Sequence, residues 1–231
     1  MGALLVLPTL NEEQGLAFLL GEMLQDQSYN DLDVLVVDGH SEDATVEVAS
    51  LHGIKVVQQR GQGKGAAFRT AIEVFLAGPW DALAMIDADG SYPPASVLAM
   101  LMLLEDHPVV VGDRLSGALE KGAMSRLNLL GNHLLSACAS LLHGATASDV
   151  CSGCWVIRRD VVEDLRLNSV GFEIEAELFS SLIGAGYRPH WVPIPYRTRH
   201  GEAKLISMFD GVRILRKLLV RRLLIARKTE L

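Results

Sequence analysis

The feature that most restricts what this chain can fold into is an alternation in its first hundred residues. Short apolar runs at 3–7, 33–37, 54–58 and 82–86 are separated by longer stretches with helical periodicity. That order is the signature of βα units and a mainly parallel sheet flanked by helices. After the first run, Asn11 is placed to cap a helix, with Gln14 completing a capping box and Leu16, Leu19, Leu20, Met23 and Leu24 forming its buried face. Further helices are predicted at 43–51, 64–77 and 94–104, then a short strand at 109–111. The second half reads as a helix over 125–142, an extended stretch at 155–157, a helix over 173–183, an extended stretch at 191–196, and a long helix from Ser207. No repeat or linker divides it. The 231 residues give room for one α/β domain with a sizeable core. The expected division is a catalytic domain over 1–206 with an amphipathic helix appended over 207–231.

Polar motifs fall where the strands end, and open α/β sheets bind ligands at the carboxyl ends of their strands. Pro8-Thr9-Leu10-Asn11-Glu12-Glu13 follows the first, Asp38-Gly39-His40-Ser41 the second, and Asp87-Ala88-Asp89-Gly90-Ser91 the fourth. In an extended segment residues i and i+2 point the same way, so Asp87 and Asp89 aim two carboxylates at one spot. Such hard oxygen ligands suit Mg²⁺ or Mn²⁺ bridging a nucleotide diphosphate. The bland alternative is a solvated acidic turn. Arg60-Gly61-Gln62-Gly63-Lys64-Gly65 lacks the P-loop spacing and has Gly65 where that motif needs Ser or Thr. Cys151 and Cys154 form a lone C-x-x-C, too few ligands for a zinc site, and read as packed thiols. The seven histidines show no metal spacing.

Taken together, in this order and spacing, the motifs resemble the family-2 glycosyltransferases of GT-A fold, specifically the dolichol-phosphate mannose/glucose synthase branch, from Pro8 to about Lys204. The resemblance implies a nucleotide-sugar donor held by Pro8, Asn11, Glu12, Asp38, Lys64 and Asp87, with a metal ion on Asp87 and Asp89. It implies that Glu173 or Glu175 contacts the donor sugar. The second acid of the usual D-D-G-S pattern is Gly39 here, which leaves that role to Asp38 alone. Ser91, whose hydroxyl is the poorer metal ligand, stands where the family often has Gln. Asp149-Val150-Cys151-Ser152-Gly153 resembles the family's D-x-x-S-G, and the stretch from Pro193 to Lys204 its P-x-x-x-x-x-R-x-G-x-S-K, with Ala203 in place of Ser. By resemblance Arg114, Arg126 and Arg199 hold the acceptor phosphate beside the catalytic Asp89, and Lys204 joins the residues that bind the donor.

A phosphate acceptor agrees with the charges. A sugar hydroxyl needs a general base, whereas a phosphate monoester, with a second pKa near ~6, arrives as an anion and needs cations instead. Direct attack on the anomeric carbon inverts its configuration. The net charge of −7 argues against nucleic acid as a partner. Yet Arg213, Arg216, Lys217, Arg221, Arg222, Arg227 and Lys228 crowd the tail with no acid among them. There, Met208, Val212, Leu215, Leu219, Leu223 and Ala226 form an apolar stripe, as in helices that lie in an anionic headgroup layer. The alternative is a helix that faces the core or builds a homo-oligomer. The apolar content is 49%, yet no stretch reaches the roughly 18–20 apolar residues of a spanning helix. No secretory signal is recognisable. The expectation is therefore a peripheral protein on the cytoplasmic face of a membrane, using a UDP-sugar (glucose or N-acetylglucosamine) or GDP-mannose and a polyprenyl phosphate. The rivals are transfer to a soluble or glycan hydroxyl, and a non-catalytic nucleotide-sugar-binding protein.

Overall fold

A computed structural model describes residues 2–201 and 207–229. Among the described residues seven strands form one sheet: β1 (Ala3–Thr9), β2 (Leu32–Asp38), β3 (Lys55–Gln58), β4 (Ala82–Met85), β5 (Val109–Asp113), β6 (Trp155–Arg158) and β7 (His190–Pro193). Their order is β3-β2-β1-β4-β6-β5-β7. Neighbours pair in parallel except β6, which runs against both β4 and β5. The helices are α1 (Glu13–Leu24), α2 (Thr45–Leu51), α3 (Lys64–Ala77), α4 (Pro94–Leu101), α5 (Arg126–His143), α6 (Arg159–Asp164), α7 (Ile174–Gly184) and α8 (Ser207–Thr229).

The continuous apolar runs follow from burial on both sheet faces. Successive side chains alternate between the faces, so Leu4 and Val6 join one core with Phe68, Phe75, Trp155 and Phe179. Leu5 and Leu7 join the other with Leu16, Leu19, Leu20, Val97 and Met100. The helix over 64–77 lies where periodicity puts it. Gly-rich turns and Pro94 at the first helical position punctuate the rest.

The start of α1 departs from the expectation. Asn11 is not its cap: it takes a positive φ of 51°, and Glu12 occupies the cap position without a side-chain bond to the helix. The free amides at this end are met instead by the loop after β2. Glu12 N donates to Thr45 Oγ1 at 2.8 Å and Glu13 N to Asp43 Oδ2 at 3.1 Å. Asn11 locks the two loops together, its amide donating to Ser41 Oγ at 2.8 Å and its Oδ1 accepting from Glu42 N at 2.7 Å. Leu24, expected on the buried face, is exposed at the end of the helix.

Helix α8 has two faces. Asp210, Ile214 and Leu218 are buried where it packs on α5 and α7. Val212, Leu219 and Leu223 point outward, and Leu127, Leu130 and Leu134 of α5 are exposed as well. No helix among the described residues is long and apolar enough to cross a membrane.

Candidate active site

The carboxyl ends of β1, β2, β4, β5 and β7 share one edge of the sheet. Because β6 is antiparallel, the segment that precedes it, 149–154, arrives at that same edge. A cavity of about 650 Å³ opens there, lined among others by Pro8, Glu12, Lys64, Asp87, Asp89, Arg114, Glu175 and Arg199. The site is thus drawn from both halves of the chain.

Asp87 and Asp89 both reach the cavity, as their spacing implies. Lys64, at the first turn of α3, places its Nζ against Asp87 Oδ1 and 2.6 Å from Glu175 Oε1. Burial would raise the Asp87 carboxyl, but Lys64, with smaller help from Arg114 and Arg199, outweighs it and holds the group below the usual carboxylate range. Burial raises the Glu175 carboxyl, with Lys64 opposing and the Asp87 charge adding to the rise. For Lys64, burial is the largest effect and lowers its pKa, yet the two acids together more than reverse it. Asp89 is 5% exposed. Its Oδ1 accepts from the Ser91 amide at 3.0 Å and from the Ser91 hydroxyl, and its Oδ2 lies 3.3 Å from Arg199 Nη1. Ser91 therefore orients the carboxylate.

The acid pair fits a divalent ion. Among the described residues no group of three or more His, Cys, Asp or Glu could hold one, but Mg²⁺ is commonly bound by one or two carboxylates plus water and substrate phosphate oxygens. Gly153 keeps this arrangement open. A Cβ there would stand 2.5 Å from Asp87 Oδ2, so any side chain would displace the carboxylate. Behind it, Tyr92 Oη accepts from the Gly153 amide at 2.8 Å. Cys151 borders the cavity as a thiol, pushed up by burial to about 12.

The remaining donor-side residues divide. Pro8 and Glu12 line the cavity, with Thr9, Gly39 and Gln59 beside them. Asp38 is fully buried at the end of β2 and is spent on its own loop. It accepts from the His40 amide at 3.0 Å, the Ser41 amide at 3.1 Å, Gln58 Nε2 at 3.0 Å and the hydroxyls of Ser41 and Thr9. It shapes the turn beneath the cavity wall, while Asn11 braces the neighbouring loop. Of the two acids weighed near the start of α7, Glu175 reaches the cavity. Glu173 turns back to accept the amides of Val170 and Gly171 at 3.1 and 3.2 Å.

The arginines divide similarly. Arg199 lines the cavity between Asp89 and Tyr196. Arg114 also lines it, buried over the Tyr196 ring, but its Nε and Nη2 form a fork on Asp149 at 2.7 and 2.8 Å. Arg126 opens α5 on the exposed rim, outside the lining residues. Lys204 lies outside the described residues. Sequence reasoning missed Gln59, Tyr196 and the apolar wall made by Met124, Leu127, Leu134, Leu135 and Ile214. A Leu-rich α5 beside an Arg cluster was the one available signal for that wall.

The sequence profile described as "Glycosyl transferase family 2" matches residues 4–166. The chain belongs to that family. This glycosyltransferase is 35% identical over 210 residues to the dolichyl-phosphate hexose transferase of Haloferax volcanii, covering 90% of this chain and 89% of that protein. It is 35% identical over 207 residues to glycosyltransferase AglJ of the same organism, covering 88% of this chain and 66% of the relative. Against the dolichol-phosphate mannosyltransferase of Pyrococcus furiosus the identity is 26% over 227 residues, covering 93% of this chain and 62% of that one. These relatives put it in the dolichyl-phosphate sugar synthase branch. The glucosyl-3-phosphoglycerate synthase of Mycobacterium tuberculosis, solved with Mg²⁺ and uridine diphosphate, superposes with a TM-score of 0.73 at 21% identity, covering 95% of this chain and 78% of that one. The fold is therefore GT-A.

Proposed function

We propose that this glycosyltransferase moves a hexose from a nucleotide-diphosphate sugar to a polyprenyl (dolichyl) phosphate, with inversion, while lying on an anionic membrane surface. The observation that carries the reading is the continuity of one cavity. The same cavity is lined by the charged Asp87, Asp89, Lys64 and Arg199 and by the apolar Leu127, Leu134, Leu135 and Ile214. A lipid phosphate needs both kinds of lining.

In the reaction, an acceptor phosphate oxygen attacks the anomeric carbon and the bond from that carbon to the diphosphate breaks. No proton has to leave the nucleophile, so no general base is required. A bound Mg²⁺ or Mn²⁺ would neutralise charge on the departing diphosphate. Asp87 and Asp89 are the residues to hold it, and Arg199, permanently charged and beside Asp89, is placed to draw the acceptor phosphate in. Lys64 and Glu175 face the donor. The exposed leucines of α5 and the outer stripe of α8 support contact with lipid, with the tail's basic residues at headgroup level. Purified protein offered UDP-glucose, UDP-N-acetylglucosamine and GDP-mannose with Mn²⁺ should glycosylate a short polyprenyl phosphate but not a soluble sugar. Transfer to a sugar hydroxyl with no lipid product would overturn the acceptor assignment.

A further inference from the structure

Glu177 is wholly buried in α7, on a different face from Glu175. Its carboxylate joins three elements. Oε2 accepts from the amides of Asn168 and Ser169 at 2.9 and 2.6 Å. Oε1 lies 2.7 Å from Arg221 Nη2 and 3.5 Å from Lys217 Nζ, both on α8. Lys217 also donates to Asn168 Oδ1 at 3.0 Å, and Arg221 to Ser181 Oγ at 2.9 Å.

The 168–171 segment held this way backs the turn that presents Lys64. Gly65 N donates to Val170 O at 2.8 Å, and the Arg69 guanidinium donates to Ser169 O. The contact is close: a Cβ on Gly63, whose φ is +82°, would stand 2.5 Å from Val170 O. The segment cannot shift without moving the turn, and the turn carries the cation that pairs with Asp87. A charge buried this deeply is costly unless its partners are all in place, and here one carboxylate ties the three elements together.

We propose that Glu177 is a positioning residue for the donor site. It clamps the 168–171 segment between α8 and the Gly63–Gly65 turn, and so couples the seating of α8 to the binding of the nucleotide diphosphate. The inference rests on the donor site as read under Proposed function. In Glu177→Gln, one carbonyl oxygen has to serve two amides and two cations, and the new amide adds donors where acceptors are needed.

The test compares wild type, Glu177→Gln and Lys217→Met, which keeps the aliphatic stem and leaves Arg221 on Glu177. The donor KM, and the Kd for UDP and GDP with Mn²⁺ by calorimetry, should rise about tenfold, equal to ~1.4 kcal/mol, in Glu177→Gln. They should rise by less in Lys217→Met, with acceptor KM unchanged in both. Hydrogen exchange should quicken at 61–66 and 168–171 while β1 and β4 stay protected. A lower melting temperature with donor KM and Kd unmoved would make Glu177 a structural brace only and overturn the proposal. If wild type binds neither UDP nor GDP, the donor reading fails instead. The exchange experiment then still decides whether Glu177 ties the two segments, and unchanged exchange at 61–66 overturns that link.

Discussion

Replacing Lys64 with Met tests the electrostatic centre of the site most directly. In the folded protein Lys64 is 13% exposed, Glu175 5% and Asp87 28%. Its Nζ is the one cation touching both acids among the described residues. Removing one partner from a buried ion pair costs about 3–5 kcal/mol, because the other is left uncompensated. Asp87 is partly open to water, which screens it, so the lower end, about 3 kcal/mol, is expected here. For a chain of this size each kcal/mol is worth about 2–4 °C, so the melting temperature in EDTA should fall by about 6–12 °C. Methionine fills much the same volume, and little of the loss can be assigned to a cavity.

Metal should separate this account from ordinary damage. An ion bound only by the folded state stabilises it by about 2.7 kcal/mol at a hundred times its Kd. In wild type an arriving ion shares Asp87 with Lys64. In the variant it also relieves the repulsion between Asp87 and Glu175, so Mn²⁺ should raise the variant's melting temperature by more than it raises wild type's. Differential scanning fluorimetry over a Mn²⁺ series measures both increments. Equal increments in the two proteins, or a fall of only 1–2 °C (about 0.5 kcal/mol) in EDTA, would refute Lys64 as the counter-ion of the acid pair.

Three further outcomes are expected. Asp89→Asn should lower turnover at least about 100-fold with an unchanged circular dichroism spectrum, and excess chelator should silence wild type; full activity in chelator would remove the metal from the mechanism. Arg199→Ala should raise acceptor KM about tenfold, the scale of one lost charge-assisted bond, with Arg126→Ala weaker because Arg126 sits on the rim; calorimetry showing lost donor affinity at constant acceptor KM would move these arginines to the donor side. Changing Val212, Leu219 and Leu223 together to Ser should release the protein from anionic liposomes without unfolding it, since all three are exposed. Raised salt alone should only weaken wild-type binding, the basic residues contributing about 1 kcal/mol each. Flotation of the triple variant like wild type would put the lipid contact elsewhere. Truncating α8 is a poorer test, because Ile214, Leu218 and the cations on Glu177 would be lost with it.

The parts of the fold legible in the sequence are those set by local pattern. Parallel strands buried on both faces read as apolar runs, and the motif that follows each run must lie at the ligand-binding edge. That is why Asp87, Asp89, Lys64 and Pro8 could be placed without coordinates. What the pattern does not carry is competition for hydrogen bonds by residues distant in the chain. Asn11 and Gln14 have capping-box spacing, yet Thr45 and Asp43, some thirty residues on, supply the acceptors and Glu12 takes the cap position. Asp38 and Arg114 stand at strand ends as expected, but their neighbours have claimed most of their bonding capacity. Helix α6 spans only Arg159–Asp164, too short for a helical period to emerge.

The tail shows the same limit in another form. A helical projection yields one apolar stripe, and Val212, Leu219 and Leu223 do share an exposed side. Ile214, Leu218 and Ile225 form a second stripe on the opposite side of the helix, and Ile214 and Leu218 are buried against the domain. Two apolar stripes on one helix are redundant for a helix that only lies on lipid, and equally redundant for one that only closes a core. Together they suit a helix held between the two. Its inner side also carries Lys217 and Arg221, the cations that Glu177 neutralises. The basic residues of the tail are therefore not one population. Those on the inner side are committed to the fold, and only the exposed remainder, such as Arg216 and Arg222, is placed to meet an anionic surface. Salt dependence of liposome binding should accordingly report fewer charges than the sequence counts.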